Sequence, residues 1–511
     1  MNFKKIINIL FIFCFLLLIF LPIIFADKVG GKISTNENRY LAKFPQIITP
    51  NNKLAAGIRS GIENWINDNI WGRKRLYSLK AEIDVFLFNL SPSINDLFGK
   101  DGWRYLINDQ NIKRVQKLTA PAPEQIELFN KKLGIITNHF NEKGITFFSV
   151  VMPYKTDIYP EYLPDTILQV GKDTFIEILL KESVNNENFT LYIPFKELEE
   201  EKKERYVYSK AYDNSHWNNY GAFIGYTAVM NIAQQKIPEI RYYGWDDFDI
   251  TEFLRETYQA GRIFTTEVDY NFALKYERTA IKNSEFFDGF FDNEYYTSQD
   301  PWRSYQYYEN INQDLPKAII VGDSYTWMFM LENIAESFSE LIFILINDVV
   351  YLDTLIGMIS PDVVIFSCLD LSLWSCAFSY NCSEITLPKN TLDHTWSSLD
   401  IVNNEVITSK SFSIDSSLHY FRIAGWALDA INDTLASQVI IQVGDEYILA
   451  TYGKKLEYVA DYFDKQQFLN SGWYAVLNTK KVLDAGGFFV HVITADGSYK
   501  YEPQQYHVIS R

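Results

Sequence analysis

Cysteine and histidine are scarce in this chain, with four and six residues among 511. No Cys-x-x-Cys pair and no run of histidines accompanies them, which argues against a zinc or other metal site. Positive charge is also in deficit. Lys and Arg total 47 against 64 Asp and Glu, giving a formal net charge of −17. No basic patch stands out, so nucleic acid is not an expected partner, because that binding is driven by Lys and Arg displacing counterions from phosphates. Internal repeats and low-complexity linkers are missing as well, which points to domains that pack closely. The composition, 47% hydrophobic, 16% aromatic and 22% charged, excludes a disordered chain. Its 34 Tyr and 37 Phe suit strand-rich cores, and aromatic faces also suit sugar rings.

A chain of this length exceeds what one hydrophobic core supports, so two domains, or one with large additions, are expected. Residues 6–25 are apolar apart from Asn8 and Pro22, and Lys4 and Lys5 precede them. This is an export signal. Either it is cleaved after Ala26, before Asp27, or it stays as a membrane anchor, since about 20 apolar residues can span a bilayer. Both cases put residues 27–511 outside the cytoplasm, where Cys376 and Cys382 would close a small disulfide loop.

Residues 37–89 read as a helical lead-in, with Ile62, Trp65, Ile66 and Ile70 on one face. Residues 97–103 read as a turn between short strands. A helix is expected over 123–139, and buried strands over 146–151, 318–321, 341–346 and 363–366, each a short continuous apolar run of the kind covered on both faces. The fold class is therefore α/β with a mostly parallel sheet, whose sites lie at the carboxyl ends of the strands. Beyond residue 391 alternating segments at 420–424, 439–443 and 488–492, separated by Gly444-Asp445, Gly486-Gly487 and Asp496-Gly497, predict a small β-sandwich. The domain expectation is 1–26 signal or anchor, 27–390 catalytic, and 391–511 accessory.

The run Ala318-Ile319-Ile320-Val321-Gly322-Asp323-Ser324 carries an apolar strand into a turn and a helix. Glycine permits the tight turn, and a helix start offers free N–H groups, so Ser324 stands where a nucleophile and an oxyanion donor meet. The plainer alternative is that Asp323 or Ser324 only caps the helix. A serine nucleophile needs a base. His139 ends a helix, His394 falls between the domains, and His419, His491 and His507 fall in the β-rich region. His216 differs, standing in the polar, aromatic loop Tyr212-Asp213-Asn214-Ser215-His216-Trp217-Asn218 with an acid beside it.

Gly-Asp-Ser after a strand, with Asp-x-x-His elsewhere, resembles the SGNH hydrolase superfamily. The order, with His-Trp ahead of the serine, resembles the alginate O-acetyltransferase group within it. Further segments similar to that group are Asn38-Arg39-Tyr40-Leu41-Ala42 with Phe44-Pro45, Gly99-Lys100-Asp101-Gly102-Trp103, Pro153-Tyr154-Lys155 running to Tyr159-Pro160 and Leu163-Pro164, and His216-Trp217-Asn218 with Gly221-Ala222. The resemblance covers about residues 37–370. It implies a flavodoxin-like SGNH fold, an extracytoplasmic enzyme, and O-acetylation of an exported polysaccharide with acyl groups passed on by a membrane-bound acyltransferase partner. No cofactor or metal is implied. Ser324 would be nucleophile, His216 general base and Asp213 the orienting acid. Alginate-type members carry that acid two residues before the histidine, and Asn214 stands there, so Asn214 is the alternative. Oxyanion candidates are the Ser324 N–H and Asn347, and the expected substrate-binding residues are Lys155, Tyr325 and Trp217. Asp370, where the group has glutamate, is assigned no role. The segment Ile423-Ala424-Gly425-Trp426-Ala427-Leu428-Asp429 resembles an accessory β-domain of cell-surface polysaccharide proteins, implying carbohydrate or partner binding, or a structural addition. Two rivals use the same residues differently: a carbohydrate acetylesterase with water as acceptor, and a catalytically silent binding or scaffold subunit.

Overall fold

The computed structural model describes residues 3–26, 31–34, 39–48, 54, 57–88, 95–257, 265–283, 286–287, 305–380, 382, 385, 387–393, 396–403, 405–418 and 420–511. Helix α1 (Phe3–Ile24) contains the one stretch among them, Lys5–Ile24, long and apolar enough to cross a membrane. Asp27, Glu37, Asn38 and Asn89 lie outside the described residues. Within the lead-in are two helices, Ile58–Asn69 and Arg73–Phe88, the first with Trp65 buried. The 97–103 turn joins β1 (Asp96–Phe98) to β2 (Arg104–Leu106), and it places Asp101 and Gly102 in the left-handed region.

Helix α2 (Pro123–Glu142) leads into β3 (Thr146–Met152), followed by β4 (Leu191–Tyr192) and helix α3 (Asn219–Lys236). A hairpin of β5 (Phe248–Thr257) and β6 (Thr265–Leu274) then stands beside α3. Next come β7 (Ala280–Lys282), β8 (Gln306–Asn310), β9 (Lys317–Gly322), β10 (Glu340–Leu345) and β11 (Val363–Leu369). The central sheet has the order β4-β3-β11-β9-β10-β8-β7. The pairs β4·β3, β3·β11, β11·β9 and β9·β10 are parallel, and β8 runs antiparallel to both its neighbours.

The continuous apolar strands follow from this layering. Phe148, Val150, Ala318, Ile320, Leu341, Phe343, Val363 and Ile365 face a core shared with α3. Their alternates Phe147, Val151, Ile319, Val321, Ile342, Ile344, Val364 and Phe366 face a second core under α2, α4 (Leu352–Ile359) and α5 (Asp370–Ser379). With a period of two and both faces buried, the strands are apolar at nearly every position, the buried Ser149 and Ser367 being exceptions.

Beyond residue 390 the chain forms two sheets, one built around the strands Trp396–Val402, Tyr420–Asp429 and Gly472–Asn478, the other around Gln438–Val443, Gly487–Ile493 and Gln504–Ser510. Phe421, Ile423 and Leu477 from the first sheet share one apolar core with Ile441, Val490 and Val508 from the second. Gly444, Gly486 and Gly497 have positive φ at the turns the sequence marks. The disulfide expected at Cys376 and Cys382 is not formed, and all four cysteines are free. The Cys376 thiol faces Ile346 O at 3.7 Å, whereas Lys132 Nζ lies 3.7 Å from Cys382 Sγ, so the two sulfurs face different partners.

Candidate active site

Strand β9 ends at Gly322, where an added Cβ would sit 2.6 Å from Ser367 O on the neighbouring strand, so only glycine fits the close approach. Asp323 then caps the short helix Ser324–Trp327. Its Oδ1 accepts from Tyr325 N at 3.1 Å, and its Oδ2 accepts from Leu369 N at 2.8 Å. Capping therefore falls to Asp323 and leaves Ser324 free as the first helical residue, whose N–H has no carbonyl partner within the helix. Thr326 Oγ1 donates to Ser367 O at 2.7 Å and pins the helix to β11.

His216 sits in the loop before α3. The bridge Tyr208↔Trp217 and the capping bond from Gly221 N to Asn218 Oδ1, 2.9 Å, set the loop's course. Its Nε2 lies 2.8 Å from Ser324 Oγ. Its Nδ1 lies 3.1 Å from Asp213 Oδ2. The other oxygen of Asp213 accepts from Ser215 N at 2.7 Å and His216 N at 2.8 Å. Burial by itself would raise the Asp213 carboxyl, but hydrogen bonds and charge from His216, with the two N–H donors, hold it well below the ordinary carboxylate range. The carboxylate assigns the proton to Nδ1 and leaves the Nε2 lone pair toward Ser324.

Ser324, His216 and Asp213 are thus brought together, but other expected site residues are not. Asn214 turns away, and its Nδ2 donates to Asp96 Oδ1 beside the buried Asp96–Arg104 ion pair. An amide committed to that pair cannot orient the imidazole. Lys155, Trp217 and Tyr325, expected as substrate contacts, are instead buried, at 1%, 1% and 2% exposed. Tyr325 donates to Ser215 O at 2.6 Å, and its ring packs between His216 and Trp217. Trp217 lies beneath, against Gly225 of α3. Lys155 Nζ donates to the carbonyls of Arg104, Lys210 and Asp213. Burial pushes its ammonium down to about 7, with Asp213 and Glu267 pulling the other way. Asn347 is exposed in the turn after β10. The register Gly322↔Leu345 puts it and Ser324 at the carboxyl ends of adjacent parallel strands. Asp370 belongs to a buried ion cluster, with both it and Asp157 2.7 Å from Arg114 Nη2.

Of the other histidines, His139 faces Asp353, His491 pairs with Gln442, and His507 is exposed; His394 and His419 lie outside the described residues. Among the described residues no group of three or more potential metal ligands occurs. Neither of two clefts of about 880 and 760 Å³ has Ser324 or His216 in its walls. Sequence reasoning missed Ser209 and Glu267. Glu267 on β6 accepts from Ser209 Oγ, Ala211 N and Tyr212 N at 2.5, 2.8 and 3.1 Å. The alternation in Phe248-Asp249-Ile250-Thr251 was the available signal for the hairpin that carries it.

No curated protein matches the chain in sequence. Among solved structures, PatB1 of Bacillus cereus is 18% identical, with 55% of this chain and 97% of that one covered and a TM-score of 0.39. The O-acetyltransferase domain of AlgJ from Pseudomonas putida is 12% identical over 57% and 96%, TM-score 0.35. AlgX of Pseudomonas aeruginosa is 13% identical over 81% and 90%, TM-score 0.35. The family described as the SGNH hydrolase-like domain of acetyltransferase AlgX matches residues 97–263, a span that takes in Asp213 and His216 and ends before Ser324. Over those residues the chain is similar to the SGNH hydrolase-like domain of the AlgX acetyltransferase type.

Proposed function

We propose that this protein is an extracytoplasmic O-acetyltransferase that acetylates an exported polysaccharide through an acyl-enzyme on Ser324. The family match supports acetyl transfer, and the observation that carries the reading is the unbroken contact from Asp213 through His216 to Ser324. In the first step Ser324 Oγ attacks the carbonyl carbon of the acetyl donor while His216 Nε2 takes its proton, and Asp213 stabilises the imidazolium. The Ser324 N–H and Asn347, both at the carboxyl edge, receive the oxyanion. The leaving group departs with the proton from Nε2. In the second step a sugar hydroxyl, deprotonated by the same nitrogen, attacks the acetyl-serine and frees Oγ. The donor side falls to a membrane-bound acyltransferase partner. The accessory region 391–511 is read as a β-sandwich that engages polymer or partner, and α1 as signal or anchor.

Ser324→Ala is expected to abolish turnover of an acetylated aryl ester with folding intact, and a fluorophosphonate is expected to label Ser324 in the wild type. Retained turnover, or label at another serine, overturns the reading. Adding acceptor oligosaccharide separates the outcomes: acetylated acceptor supports transfer, acetate alone makes the protein an esterase, and neither makes it a scaffold.

A further inference from the structure

The segment 209–213 that delivers the Asp213 carboxylate is gripped from two sides by charges of opposite sign, the buried Lys155 and the half-buried Glu267. On its carbonyl side lies the Lys155 ammonium, 3.3 Å from Lys210 O and 3.0 Å from Asp213 O, and bonded also to Arg104 O of β2. On its N–H side lies Glu267 of β6, bonded to Ala211 N, Tyr212 N and Ser209 Oγ, and Ser209 Oγ accepts in turn from Asp213 N at 2.7 Å. We propose that Lys155 and Glu267 are a pair of positioning residues that hold the backbone of 209–213 so that Asp213 meets His216. The inference rests on the Ser324–His216–Asp213 reading and adds what keeps that geometry in place.

Three features support the assignment. Lys155 opens the short helix Lys155–Ile158 directly after β3, so its backbone is fixed by the central sheet and its side chain rises into the loop from a rigid base. Its three acceptors are neutral carbonyls from two separate segments, and a single ammonium joins them, as three donors on one nitrogen allow. The rings of Trp103 and Tyr105 lie 5.3 and 5.2 Å from Nζ, completing a buried cation site around the 1% exposed Lys155. The charged groups facing the ammonium are Asp213 in the loop, Glu267 on β6, Asp96 on β1 and Arg104 on β2. Removing its proton takes away charge and one donor, and loosens Asp213 without touching Ser324. A low ammonium pKa, about 7, puts that loss within reach of ordinary buffers.

The test compares Lys155→Met and Glu267→Gln with wild type on an aryl ester, reading kcat and KM separately from pH 6 to 9, with thermal melting as a check of folding. Each variant is expected to lose about 10- to 100-fold in kcat with KM nearly unchanged, as for removal of an outer partner of a catalytic group. Wild-type kcat is expected to fall at the alkaline end, and Lys155→Met to lack that fall. If Lys155→Met does not fold, Glu267→Gln decides, because the amide keeps the shape and one acceptor oxygen while giving up the charge and the second acceptor. Unchanged kcat and pH profile in a folded variant overturn the proposal. If the wild type neither turns over ester nor takes the fluorophosphonate at Ser324, it is the underlying reading that has failed.

Discussion

At the scale of single residues, Asp213 and Asn214 are neighbours with opposite allegiances. Asp213 faces the imidazole, whereas Asn214 faces Asp96. Asp213→Asn is expected to lower kcat by about two to four orders of magnitude, as loss of the acid does in other triads. Asn214→Ala removes one hydrogen bond to a buried carboxylate, which costs about 1–3 kcal/mol of stability and leaves most turnover. Ester kinetics and urea unfolding on both variants separate the two roles; a large kcat loss at Asn214 would reverse them. The depressed Asp213 carboxyl also gives a pH sign. Its contribution to stability is present above the ordinary carboxylate range and is lost as pH falls through its lower folded value, so wild type and Asp213→Asn should converge in stability toward strong acid. The sequence made Ser324 readable because a continuous apolar strand ran straight into Gly-Asp-Ser, and His216 because only six histidines competed. The contacts of Lys155 were not legible because its targets are backbone carbonyls, which leave no side-chain pattern to read.

At the scale of elements, α3 and the loop before it are built as one unit. Gly225 lets the Trp217 indole lie on the helix, and an added Cβ would stand 2.3 Å from that ring and 3.0 Å from Met330 Sδ. Gly225→Ala therefore sets a helix-propensity gain of about 1 kcal/mol against an overpacking cost of about 1–3 kcal/mol. The rigid, buried indole cannot give way as a flexible chain would, so overpacking wins. Both melting temperature and kcat should drop, because Trp217 supports the residue next to it. A stabilised variant with full kcat would mean that the ring has room to move. The central strands were legible element by element, since burial on both faces imposes apolar runs. The β5–β6 hairpin was not. Leu254 and Val268 form an exposed cross-strand pair, and Phe253 is exposed on the opposite face, so neither side carries the clean apolar stripe that marks a strand.

At the scale of the whole molecule, the accessory sheets lie against α4 and do not stand apart on a tether. Tyr420 OH donates to Met358 O at 3.1 Å, the Tyr351 and Tyr474 rings lie 6.0 Å apart, and Val476 joins the core beneath α2, α4 and α5. Deleting residues 391–511 should leave turnover of a small ester close to that of the full chain, because Ser324, His216 and Asp213 and their supports all precede the cut. Melting temperature should fall as Tyr351, Ile356 and Met358 are uncovered. Loss of turnover in a folded, truncated protein would tie the accessory sheets to the chemistry. The cysteines carry one more consequence. Cys368 and Cys376 are buried, with burial raising both thiols, Cys382 is buried beside Lys132, and Cys14 alone is exposed, within α1. A version beginning after that helix presents no accessible thiol. One cysteine placed by design near Ser324 would then be the sole attachment point for a spin label or fluorophore, and movement of the His216 loop could be followed under reducing conditions.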